Sequence, residues 1–113
     1  MPEEGDFKAR LRKHLTKRGA FWSDVYQDGI HGKLGDPDIV ACYRGAHIGF
    51  EAKSATGSLR NMQKLRREQL LAAGGIYVEV RNLEQVDRVL DEVDRIMDEL
   101  GDILKEIKGR KEE

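Results

Sequence analysis

Pro37-Asp38-Ile39-Val40-Ala41-Cys42-Tyr43-Arg44-Gly45-Ala46-His47-Ile48-Gly49-Phe50-Glu51-Ala52-Lys53 decides the reading of the fold. Two apolar runs, Asp38 to Tyr43 and His47 to Lys53, flank the turn-like Arg44-Gly45-Ala46, and this pattern predicts a β-hairpin. Side chains at i and i+2 of a strand share a face, so Glu51 and Lys53 project together. Folding at Arg44-Gly45-Ala46 also returns the Asp38 end to the Glu51 end. Two carboxylates and an amine then converge at one sheet edge.

Downstream, Ala55 to Ser58 form a polar loop, with Ser58 placed to cap a helix from Leu59 to Ala73 that Gly74-Gly75 stops. Ile76 to Val80 is a compact apolar strand, and from Leu83, with Asn82 as N-cap, the chain is helical almost to its end. Upstream, the run DGIHGKLGDP from Asp28 to Pro37 holds three glycines and a proline and reads as a loop of the kind that touches ligand or moves. Ala20 to Gln27, with Phe21, Trp22, Val25 and Tyr26, reads as a strand. Phe7, Leu11 and Leu15 form the apolar ridge of a helix ending at Gly19, whose other faces carry Lys8, Arg10, Arg12, Lys13 and Lys17. The order α, β, β, β, α, β, α around one mixed sheet is an α/β or α+β sandwich.

In the last helix Val86, Val93, Leu100 and Ile107 recur every seven residues, with Val89, Ile96 and Ile103 at the intermediate positions. Such a repeat serves as a coiled-coil seam or, widened by Leu90, Met97 and Leu104, as a face packed on the chain's own sheet. Gly101 costs about 1 kcal/mol in a helix interior and is a place for a kink.

A chain of 113 residues has room for one domain. We expect residues 1–113 to form it, with a core at about 7–93 and an extension of the final helix over 94–113. A single cysteine, Cys42, rules out an intrachain disulfide and a cysteine-based zinc site, and fits a reducing compartment. No apolar run approaches membrane-spanning length and the N-terminus is acidic, so the expectation is a soluble, cytoplasmic protein without a membrane partner. Net charge is −1, but residues 1–75 carry 13 basic against 9 acidic side chains while 76–113 carry 7 against 12. The basic share lies in the half that holds the hairpin.

Two carboxylates can hold a hard divalent cation and leave room for water and a phosphate oxygen, the set that phosphodiester hydrolysis needs. Lys53 would orient the attacking water or stabilise the charged transition state. Glu-x-Lys recurs at Glu106-Ile107-Lys108, but there the helical period makes the two side chains diverge.

Gly35-Asp36-Pro37-Asp38-Ile39, Phe50-Glu51-Ala52-Lys53, Gln63 and Leu70-Leu71-Ala72-Ala73-Gly74-Gly75 together resemble the VRR-NUC domains of the PD-(D/E)XK nuclease superfamily, over about Phe7 to Val93. The resemblance implies a restriction-endonuclease-like core of αβββαβ order and a magnesium- or manganese-dependent endonuclease acting on DNA. It assigns Asp38 and Glu51 as metal ligands, the Ala52 carbonyl to the metal shell, Lys53 as catalytic lysine and Gln63 as a helix residue reaching the site. Relatives often add an acidic residue from the first helix, a role for which Glu3 and Glu4 lie at about the right distance before Gly19. The free-standing type of bacteriophages and bacteria resembles dimeric Holliday-junction resolvases. This implies branched DNA as substrate, a role in repair or recombination, a homodimer, and host-cell cytoplasm if the chain is viral.

Arg60, Lys64, Arg66 and Arg67 read as phosphate contacts beside the site or as an ordinary solvated helix face, and Lys33 and His31 could reach the DNA backbone. Trp22 and Tyr26 read as core and Cys42 as a small buried hydrophobe, whereas His14 and His47 have no assignable partner. Two other classes stay open: a non-catalytic nucleic-acid-binding protein on this fold, and a helical interaction module.

Overall fold

A computed structural model describes residues 2–25, 37–52 and 61–112, and the side chains of 5–25, 37–52 and 63–109 among them. The elements are α1 (Pro2–Lys17), β1 (Phe21–Asp24), β2 (Ile39–Tyr43), β3 (Ala46–Ala52), α2 (Asn61–Ala72), β4 (Ile76–Val80) and α3 (Leu83–Glu112). This is the expected order. Helix α1 starts before Phe7 because Pro2 suits a first helical position and the acidic residues after it favour a helix N-terminus.

The four strands lie in the order β1-β2-β3-β4, antiparallel except for the parallel pair β3 and β4. Tyr43 pairs with Ala46, so the hairpin closes through two residues, not the three expected. Arg44 and Gly45 have φ of 50° and 91°, the double positive φ that a tight hairpin turn needs to match strand twist.

One sheet face carries the apolar core. Ile39, Ala41 and Tyr43 of β2 and Ile48, Phe50 and Ala52 of β3 pack with Phe7, Leu11 and Leu15 of α1 and with Val86, Leu90 and Val93 of α3. Glu51, between Phe50 and Ala52, therefore points to the opposite face, where α2 lies. A Cβ on Gly49 would stand 2.6 Å from Pro37 Cγ and 3.3 Å from Leu70 Cδ2, and one on Gly75 would stand 2.7 Å from Leu70 Cδ1. The two glycines are thus the seats into which Pro37 and Leu70 fit, and they draw α2 over β3 and β4. Among the described residues nothing covers the β1-β2 side of that face, and Phe21, Cys42 and His47 are exposed. Cys42 is thereby corrected from the expected buried residue to a surface one, because α2 does not reach it. Trp22 points the other way, packs on the core and donates its indole N–H to Thr16 Oγ1 at 2.8 Å.

The heptads divide. Val86, Leu90 and Val93 are buried, whereas Ile96, Leu100, Ile103, Leu104 and Ile107 are 44–56% exposed. The final helix runs unbroken through Gly101. Among the described residues no helix is long and apolar enough to cross a membrane.

Candidate active site

The hairpin register brings the expected acids together. Ile39 pairs with Phe50, which sets Asp38, one residue before β2, opposite Glu51. Asp38 is tied at both its main chain and its carboxylate: its carbonyl accepts the Val25 N–H at 2.9 Å, and its Oδ2 accepts the Ala52 N–H at 2.9 Å. The second bond crosses the hairpin, so Asp38 is a cross-strand tie and not a local turn residue. Its Oδ1 lies 3.4 Å from Lys8 Nζ on α1.

Glu51 is only 4% exposed. Burying a carboxylate is costly without polar partners. Gln63, itself 7% exposed, supplies one by donating from Nε2 to Glu51 Oε1 at 2.7 Å. The Tyr77 hydroxyl lies 3.5 Å from Oε2, a long contact that sets direction more than strength. Tyr77 is on β4, paired with Gly49, and the next residue on the same face, Glu79, is the ladder partner of Glu51. The carboxylate of Glu79 is ion-paired with Arg81.

Of the residues singled out from sequence, Asp38, Glu51, Ala52 and Gln63 meet at one end of the sheet. Lys64 and Arg67 are exposed on α2, whose first residues bear Gln63. Lys53, Arg60, Lys33, His31, Tyr26 and Ser58 lie outside the described residues, and so do the side chains of Glu3 and Glu4, although both belong to the first turn of α1. Lys8, Tyr77 and Glu79 were not foreseen as neighbours of the site. Tyr77 and Glu79 could have been placed by strand alternation once β4 was paired in register. Nothing in sequence says which turn of α1 meets Asp38.

Among the described residues no three His, Cys, Asp or Glu side chains are grouped to share one ion. The donors that the hairpin register sets side by side here are the two carboxylates of Asp38 and Glu51. That set fits magnesium, which binds through one or two carboxylates and keeps several waters, and it does not fit zinc. Ala52 N–H and the Lys8 ammonium stand against the Asp38 oxygens, and Gln63 and Tyr77 against those of Glu51; a carboxylate oxygen, with two lone pairs, can take an ion beside a hydrogen bond.

A four-stranded mixed sheet between α2 and the α1-α3 pair, with paired acids at the open end of its hairpin, defines an α+β fold with a polar site at a sheet edge. It is the fold of a solved structure described as a VRR_NUC domain, matched at a TM-score of 0.65 with 21% identity over 79% of this chain and 95% of that one. No family sequence model matches the chain. Comparison with curated proteins gives no match either.

Proposed function

We propose that the chain is a metal-dependent endodeoxyribonuclease of the VRR-NUC type that hydrolyses DNA phosphodiester bonds. The observation that carries this reading is the pairing of Asp38 with a buried, amide-held Glu51 at the open end of the hairpin, on the fold of a VRR_NUC domain.

Asp38, Glu51 and the Ala52 carbonyl would hold magnesium or manganese. The bound ion would lower the pKa of its water and neutralise charge on the phosphate. Gln63 keeps Glu51 in one orientation, so that a side chain able to turn elsewhere stays aimed at the ion. The Ala52 N–H does the same for Asp38. Lys53, two residues beyond Glu51 in the sequence, would orient water or stabilise the transition state, and Glu4 on α1 would extend the acidic set. Lys33, Arg60, Lys64 and Arg67 would hold the DNA backbone, since phosphate contacts position a duplex without reading its bases.

Branched DNA, such as a Holliday junction in repair or recombination, is the substrate we favour, acted on by a homodimer in the cytoplasm of the cell or viral host. A twofold pair of sites suits symmetric cleavage of two strands, and the exposed stripe from Ile96 to Ile107 offers a seam for such a dimer. Sedimentation of the full chain against one ending at Val93 tests the seam: the full chain should sediment as a dimer and the shorter one as a monomer.

The activity is tested by incubating branched, flapped, single-stranded and duplex DNAs with magnesium, manganese or chelator. Metal-dependent cleavage of branched DNA, lost in Lys53→Ala, is expected. Absence of cleavage of every DNA with either metal would refute the reading.

A further inference from the structure

Lys8 reaches the site from a helix that otherwise serves the core. Its Nζ is 3.4 Å from Asp38 Oδ1, with the lysine side chain 30% and the aspartate side chain 18% exposed. Because Oδ2 already accepts the Ala52 N–H, Lys8 sits against the oxygen that β3 does not use. Its neighbours Phe7 and Leu11 are buried in the core, at 4% and 0% exposure, so α1 cannot turn about its axis to remove Lys8. The four-carbon stem can still swing the ammonium while the helix stays fixed.

An ammonium and a divalent cation cannot share one carboxylate oxygen without repelling each other. From this contact we infer that Lys8 is a substrate-binding residue: Asp38 holds it until a divalent cation takes Oδ1, and it then passes to an anionic oxygen of the DNA backbone beside the bond to be cut. The inference rests on the metal-nuclease reading. Lys8 exchanges one oxyanion for another, and its charge stays compensated in both states. The exchange couples the two ligands, because the metal must displace Lys8 while the DNA gains it.

The test compares the full chain with Lys8→Gln, which keeps a polar side chain but removes the charge. Manganese binding without DNA is followed by calorimetry, and binding of a labelled four-way junction is followed by anisotropy over a range of salt, with calcium in place of magnesium. Lys8→Gln should bind manganese more tightly by about fivefold or more. The same variant should bind the junction more weakly, with the slope of log affinity against log salt smaller by about 0.9. Lys8→Arg should keep the slope of the parent.

A purely structural tie between α1 and β2 would lower the melting temperature and loosen manganese, the opposite sign. Unchanged or weaker manganese binding, or an unchanged salt slope, overturns the inference. If the parent binds manganese and cleaves DNA while both Lys8→Gln readouts stay unchanged, Lys8 alone is dismissed. A parent that binds no manganese and cleaves no DNA removes the nuclease reading together with it.

Discussion

Acidic side chains gather in two places, the seam between α1 and α3 and the open end of the hairpin, and they are held there by different chemistry. In the seam each acid meets a base. Arg18 reaches Asp87 at 2.6 Å, Asp91 at 2.9 Å and Asp94 at 3.2 Å, His14 Nε2 reaches Asp87 at 2.6 Å, and Arg44 reaches Asp94 at 3.2 Å and Asp98 at 2.9 Å. The Tyr43 hydroxyl donates to Asp94 at 2.9 Å. At the hairpin end the short bonds to the two acids come from an amide side chain and a main-chain N–H, and the Lys8 ammonium stands 3.4 Å from Asp38 Oδ1. Neutral donors orient a carboxylate without cancelling its charge, whereas guanidinium groups do both. The hairpin end, with neutral donors and one ammonium on a flexible stem, suits an exchangeable cation, whereas the seam suits a structural clasp.

The largest contrast should come from removing one charge in each region. Glu51→Gln, which keeps the shape, should lower cleavage of branched DNA by about 10³-fold or more while the fold survives, whereas Asp94→Asn should leave cleavage within about twofold. Single-turnover assays beside circular dichroism separate the two, and equal losses would erase the distinction.

Next in size is the amide that holds the site. Gln63→Leu should weaken manganese binding or raise the magnesium requirement by about 10- to 100-fold. If the metal requirement does not move, Gln63 only fills space.

Gly49→Ala tests the packing that seats Leu70 and Pro37 over this face. Pro37 is a rigid ring 2.6 Å from the added carbon, so a loss of about 1–3 kcal/mol in urea unfolding is expected. An unchanged midpoint would mean that the seat has room.

The smallest effect belongs to the seam. The hydrogen bond from His14, and after it Arg18, hold the Asp87 carboxyl below its ordinary range. A carboxyl with a depressed folded-state pKa stabilises the protein above its unfolded pKa, near 4, and that contribution disappears as pH falls through the folded value. Asp87 is 39% exposed, so screening keeps the contribution to about 1 kcal/mol or less. Asp87→Asn should therefore lower the melting temperature slightly at pH 7 and leave it unchanged near pH 2, which thermal scans would show.

Much of this was legible in the chain. The hairpin was readable because apolar runs flank Arg44-Gly45, and the meeting of Asp38 with Glu51 follows from folding there. The heptads of α3 were visible, but the division after Val93 depends on where the sheet ends, which periodicity does not encode. The burial of Glu51 and the exposure of Cys42 are set by where α2 lands, and that follows from Gly49 and Gly75 acting as seats, a relation between strands and helix distant in sequence. The partner of His14 lies 73 residues away, and Lys8 looked like any other charge on α1. Long-range contacts of this kind leave no local mark.

Anomalous scattering from a crystal grown with manganese should show a peak within coordination distance of both the Asp38 and the Glu51 carboxylates, with Gln63 still on Glu51. Well-ordered carboxylates with no ion between them, or an ion bound elsewhere, would contradict metal binding by the pair.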